Sequence, residues 1–262
     1  MVDREPYAVN QIKSNNYMCT VTFIPTKKNE FILTSNRDES AARSPESISK
    51  IEEKGQTLIF PKDKGAGGTW IAASSHNKLV CLLNGAFECH ERNLPYSKSR
   101  GIMVLEFFQY PDANQFFAAY DFLGMESFTM ITYDNGQLWD FRWDEQVQQK
   151  YIKALDTTHC HIWSSATLYE KPVRQKREQW LAEWLANRTD FSRTAILELH
   201  KKGGEGNPSI DFMMNRYNYL VQTVSITQVS GKIGSMEMVY NDLINEQVKR
   251  ESVLLDKLGL SV

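Results

Sequence analysis

The chain contains no apolar run approaching the roughly 20 residues needed to cross a bilayer, so no membrane-spanning helix is expected. It lacks a charge bias as well. Its 30 basic and 32 acidic residues leave a net charge of −2, which removes the general electrostatic case for binding nucleic acid or an anionic membrane. Cysteine is scarce and unpatterned: Cys19, Cys81, Cys89 and Cys160 are the four. They show no pairing rhythm and read as free thiols, the usual fate of which is to be buried as small hydrophobes. Residues 1–17 are polar and have no apolar h-region, so no secretory signal is expected there and the location is expected to be cytoplasmic. That stretch reads as a flexible arm or the product of an upstream start codon. No repeat, low-complexity segment or linker follows, which predicts one domain over 18–262.

What is present suits a soluble globular protein: 42% hydrophobic and 24% charged residues in 262, long enough to build a substantial core. Cys19, Val21 and Phe23 alternate with Thr20, Thr22 and Ile24, the pattern of a strand with one strongly buried face. Pro25 to Asn29 turns the chain into a second strand at Phe31 to Thr34, and Asn36-Arg37-Asp38-Glu39 ends it. Ala41 to Gln56 reads as irregular, Leu58 to Pro61 as a short strand, and Thr69 to Ala73 with Leu79 to Leu83 as a hairpin stopped by Asn84-Gly85. Helices are expected at Ile102 to Tyr110 and Ala113 to Phe122. Phe128 to Tyr133 and Gln137 to Trp143 flank an Asn135-Gly136 turn, a strong hairpin signal. Lys150 to Leu155 and His159 to Ser164 read as further strands, Pro172 to Asn187 and Ser192 to His200 as helices. A last hairpin, Val221 to Gln228 and Ile233 to Tyr240, is expected to turn at Ser230-Gly231. Segregated antiparallel strands and helices make an α+β fold, most economically two sheets packed together with helices outside.

Met18-Cys19 carries the most pointed chemistry. A cysteine exposed at a chain start holds a nucleophile and a base on one residue, because its free α-amine can take the thiol proton. Arg37 and Asp38 return toward the same strand end if the first two strands pair, where they could orient that residue. Asn84, ending another strand, offers an amide to a tetrahedral oxyanion. Each also has a plain reading: Cys19 a buried strand cysteine, Arg37-Asp38 a surface ion pair, Asn84 a turn residue before Gly85.

Other motifs point less far. Gly65 to Gly68 is followed by no Gly-Lys-Ser/Thr and leads into a strand, so a turn or close backbone approach fits better than a phosphate loop. Cys89-His90 and His159-Cys160-His161 lack metal-site spacing, and no metal or cofactor is called for. Trp180 and Trp184 read as core, and Lys171, Arg174, Lys176 and Arg177 as a solvated helix face.

These motifs together resemble the NRDE protein family, whose eukaryotic member is transport-and-Golgi-organisation protein 2. The resemblance rests on Met18-Cys19, Asn36-Arg37-Asp38-Glu39, Arg43-Ser44-Pro45, Gly67-Gly68-Thr69-Trp70-Ile71 and Leu83-Asn84. A weaker echo is Ser164-Ser165-Ala166 before Glu170-Lys171-Pro172-Val173-Arg174. It implies an N-terminal-nucleophile (Ntn) hydrolase-like fold of four layers, α-β-β-α. Related cysteine enzymes, the bile-salt and penicillin V acylases, cleave amides with a mature N-terminal cysteine. By that similarity Cys19 is the nucleophile, Arg37 and Asp38 its neighbours and Asn84 the oxyanion donor. The expected activity is hydrolysis of a non-peptide C–N bond or a thioester once Cys19 is the first residue. The family's association with haem, lipid and acyl-CoA handling implies an alternative, a non-catalytic binding or trafficking protein. Either way the expected partner is a small-molecule amide, acyl or haem-like ligand. Two positions depart from the pattern: Ser165 stands where Asn is expected, and Gln222 where Arg is frequent.

Overall fold

The alternation at Cys19, Val21 and Phe23 gives β1 (Thr20–Lys27), which pairs in antiparallel register with β2 (Glu30–Glu39). Asn29, at φ 60°, supplies the left-handed turn residue between them. The computed structural model describes residues 19–43, 45–65, 67–216 and 221–256. The predicted arm at 1–17, Met18, Ser44 and Ala66 lie outside those residues.

Two antiparallel sheets result. The first runs in the order β10 (His161–Ser164), β1, β2, β12 (Val221–Lys232), β13 (Ser235–Asp242) and β14 (Gln247–Leu254), with the short β11 (Asn215–Arg216) beside β12. The second is a meander in sequence order: β3 (Ile48–Glu53), β4 (Gln56–Pro61), β5 (Ile71–Ser74), β6 (Lys78–Asn84), β7 (Phe128–Asp134), β8 (Gln137–Asp144) and β9 (Gln149–Leu155). Since side chains alternate between the faces of a strand, each sheet has two faces to cover. The facing sides bury Val21, Phe23, Leu33, Ile59, Ile71, Leu79, Ile131, Val229 and Met238 against each other.

The outer faces are covered by helices. α1 (Arg100–Glu106) and α2 (Ala113–Ala119) pack Met103, Val104, Phe116 and Phe117 onto Phe60, Val80, Met130 and Phe141 of the second sheet. α3 (Lys171–Ala186) and α4 (Arg193–Lys202) pack Leu181, Ile196 and Leu199 onto Ile24 and Ile32 of the first. Asp112 caps α2 by accepting from the Gln115 amide at 2.8 Å, worth about 1 kcal/mol. The layers are therefore α-β-β-α, an α+β architecture as the sequence implied.

Several boundaries differ from the sequence reading, with physical causes. Ala41 to Gln56 is not irregular, since it holds a 3-10 turn at Ala41–Arg43 and the edge strand β3. Lys50, Ile51 and Glu52 of that strand are exposed, so it carries little hydrophobic pattern. β14, which the sequence did not announce, is another polar edge strand. The closing turn lies at Ile233-Gly234 instead of Ser230-Gly231, with Gly234 at φ 83°. Gly231 stays in β12 because Phe31 lies over it; a Cβ there would come within 2.3 Å of the ring. The first expected helix is shorter, ending in a 3-10 turn at Phe107–Gln109.

Candidate functional site

Cys19 directly precedes β1 and is fully buried. Thr20 pairs with Asn36, which brings Cys19 level with the end of β2. There the backbone N–H of Asp38 faces the Cys19 sulfur. The facing sheet reaches the same place through Ser165. Its amide donates to the Cys19 carbonyl at 3.1 Å and its hydroxyl to the Asn84 carbonyl at 2.8 Å. Cys19, Arg37, Asp38 and Asn84 thus arrive at one end of the sandwich from both sheets, and Ser165, a departure from the expected pattern, joins them.

Arg37 and Asp38 do not share surroundings. As neighbours on a strand they face opposite ways. Arg37 turns between the sheets: its guanidinium pairs with Asp63 and lies 4.3 Å from the centre of the Trp70 ring. Glu39 is 3.7 Å away. Asp38 turns toward the helical layer, accepting from the Thr223 hydroxyl at 2.6 Å and from the Tyr169 hydroxyl at 2.8 Å.

Burial dominates the electrostatics. It pushes the Cys19 thiol well above its ordinary range, the Asp38 charge and Cys81 push the same way, and Arg37 and the Asp38 N–H oppose them. In the chain as described, then, Cys19 is a thiol with an acylated nitrogen. Neither the base nor the thiolate that nucleophilic chemistry needs is present in that state. Burial also raises Asp38, against Arg177, the two hydroxyl donors and Arg216.

A polar layer missed by the sequence reading lies behind β1 and β2. Arg177 of α3, expected on a solvated face, is fully buried. It donates to the Thr20 hydroxyl and to the carbonyls of Ile210 and Asp211, the last two at 2.9 and 2.5 Å. His200 sits against Thr22 and Asn36, both at 2.7 Å. The Asn36 amide nitrogen donates to the carbonyls of His200 and Phe212, so its oxygen faces His200 Nδ1, which must donate. Nε2 then accepts from Thr22. Burial and Arg177 bring His200 down to about 3, and it is neutral.

Gly68 packs against Gly101, where a Cβ would lie 2.3 Å from the backbone carbon. The Gly65 to Gly68 loop is built around Asp63, whose carboxylate accepts from the Gly65 amide at 2.8 Å. Trp180 and Trp184 pack beside Phe212 and Phe191. His159 is exposed beside Asp156, and among the described residues no group of three His, Cys, Asp or Glu side chains is placed to hold a metal. A cavity of about 490 Å³ opens beside the site, lined by Asp63, Trp70, Leu82, Tyr96, Arg100 and Glu126 among others.

The family model described as Transport and Golgi organisation 2 matches residues 18–235. The chain belongs to that family. No curated protein matches it by sequence. Its fold is similar to a variant of the conjugated bile acid hydrolase from Clostridium perfringens, at 11% identity and a TM-score of 0.50, over 92% of this chain and 100% of that one. A second mutant of that enzyme gives 9% identity and a TM-score of 0.49, covering 92% and 97%. The Caenorhabditis elegans orthologue of N-acylethanolamine-hydrolyzing acid amidase gives 13% and 0.47, covering 80% and 92%. At such identities the likeness concerns the fold alone. This chain therefore has an Ntn hydrolase-like fold, and among the described residues no helix is long and apolar enough to cross a membrane.

Proposed function

We propose that this chain is a cysteine amidohydrolase in the form that begins at Cys19, acting on a non-peptide C–N bond or a thioester. The observation that carries the reading is the bridge made by Ser165, which ties the Cys19 carbonyl of one sheet to the Asn84 carbonyl of the other. It supports a shared site for a nucleophile, its neighbours Arg37 and Asp38, and an amide donor. In that form the α-amine takes the thiol proton, directly or through a water. The sulfur attacks the substrate carbonyl, and the Asn84 side-chain amide meets the resulting oxyanion. The leaving amine departs with the proton held by the α-ammonium, and Cys19 is left as a thioester. Water then attacks that thioester, the α-amine accepts its proton, and acid and thiol are released. Asp38 holds the α-ammonium, and Arg37 keeps positive charge beside the sulfur.

The test is hydrolysis of a panel of N-acyl amides by protein beginning at Cys19. Turnover that disappears in Cys19→Ala is expected; turnover that survives the substitution sinks the reading. The cavity of about 490 Å³ lined by the Arg37 partners Asp63 and Trp70 favours a second reading, a binding protein for a haem, lipid or acyl-CoA ligand. Saturable binding unaffected by Cys19→Ala, without turnover, would favour it.

A further inference from the structure

We propose that Arg177 and Tyr169 are positioning residues for Asp38 and Cys19, coupling α3 to the strand ends through a guanidinium–phenol–carboxylate chain. The Arg177 guanidinium carbon lies 3.5 Å from the centre of the Tyr169 ring. On the same ring sits a second cation, Arg216, at 5.2 Å. The hydroxyl of that ring donates to Asp38 at 2.8 Å. Cations stacked on an aromatic ring draw on its electron density, which makes the hydroxyl a better donor to a carboxylate. The same guanidinium donates through Nη1 to the hydroxyl of Thr20, the residue after Cys19. One side chain therefore fixes both the strand that carries the nucleophile and the donor that holds the carboxylate beside it.

This arrangement answers a physical problem at Asp38. A carboxylate removed from water needs charge-assisted hydrogen bonds or a paired cation. Asp38 is fully buried, and its oxygens are met by Thr223 and Tyr169, not by a guanidinium. The charged or titratable groups facing it are Cys19, Tyr169 of the segment after β10, Arg177 of α3 and Arg216 of β11. Of these the two arginines favour its charge through their own, and Tyr169 through its hydrogen bond. Arg216 also supplies the second cation near the place where the sequence pattern expected an arginine at Gln222; Arg216 pairs with Val221 and Asn215 with Gln222. The cation comes from the neighbouring strand.

The consequence at Cys19 rests on the hydrolase reading, but the test does not. In the full chain with its aspartates labelled with carbon-13, the Asp38 carboxyl is followed by NMR as pH falls. Tyr169→Phe removes one oxygen and is expected to raise the proton affinity of Asp38 about tenfold, one pH unit in the midpoint. Arg177→Met is expected to act in the same direction, and Arg177→Lys to recover at least half of that change. Unchanged Asp38 midpoints in folded Tyr169→Phe protein would overturn the proposal, and that variant alone decides it should Arg177→Met fail to fold. Failure of amide hydrolysis by the Cys19-first protein bears on the hydrolase reading and leaves this titration standing.

Discussion

His200 makes the stability of this protein fall with acid in a way that one substitution removes. Its ring is buried and neutral between Thr22 of β1 and Asn36 of β2. Burial and Arg177 lower its folded pKa to about 3, from 6.5. A depressed histidine binds more protons unfolded than folded, so stability rises with pH through this window and is lost as pH falls below 6.5. The slope is about 1.4 kcal/mol per pH unit. Working from pH 7.5 to pH 5, about 2 kcal/mol is lost through this group alone, and about 4 kcal/mol by pH 3. Protonation also removes the Nε2 acceptor that Thr22 uses. His200→Gln keeps a donor and an acceptor without the titration. Urea unfolding of both proteins at pH 7.5 and 5.0 cancels the contributions of other groups, Asp38 included. The wild type is expected to lose about 2 kcal/mol more than the variant over that interval. Equal losses would refute the reasoning, since they would mean that His200 is no more reluctant to charge in the fold than outside it.

Three further outcomes follow from the geometry. With a disulfide thiol reagent at pH 8, exposed Cys89 is expected to react fast, half-buried Cys160 slowly, and buried Cys19 and Cys81 only on unfolding; Cys89→Ser should abolish the fast phase, and a fast Cys19 would contradict its burial. Asp63→Asn removes one carboxylate from the buried Arg37 guanidinium and leaves Glu39 at 3.7 Å, with an expected cost of about 1.5–3 kcal/mol in urea unfolding; a loss under about 0.5 kcal/mol would show that the pair is solvated. Gly68→Ala drives a methyl into the Gly101 backbone, with an expected cost of about 1–3 kcal/mol, read as a drop in thermal midpoint; an unchanged midpoint would mean that α1 moves away freely.

Much of the fold is legible where burial writes a pattern. Cys19, Val21 and Phe23 announce β1, and Asn135-Gly136, at φ 47° and 92°, announces the β7–β8 hairpin. The order of strands and helices already favours two packed sheets with helices outside, the family resemblance names the four layers, and the structure bears this out. What is illegible has a common cause. β3 and β14 lie at sheet edges with exposed, polar residues, and their neighbours supply the pairing that makes them strands. Arg177 stands among Lys171, Arg174 and Lys176, so its sequence context is that of a wet helix face. Its acceptors are Thr20, Ile210 and Asp211, far away in the chain. Asp63 and Trp70 likewise become partners of Arg37 only when the second sheet closes over the first. Cys19 and the Asn36 to Glu39 motif meet at one end of the sandwich, but alternation along β2 sends Arg37 and Asp38 to different layers.

The most direct measurement is the mass of the acyl adduct formed with an activated acyl ester, compared between the full chain and protein released from a fusion so that Cys19 is first. Acylation at Cys19 in the released form alone, lost in Cys19→Ala, is the predicted result. Equal labelling of both forms, or none at Cys19 in the released form, would contradict a nucleophile that draws its base from its own α-amine.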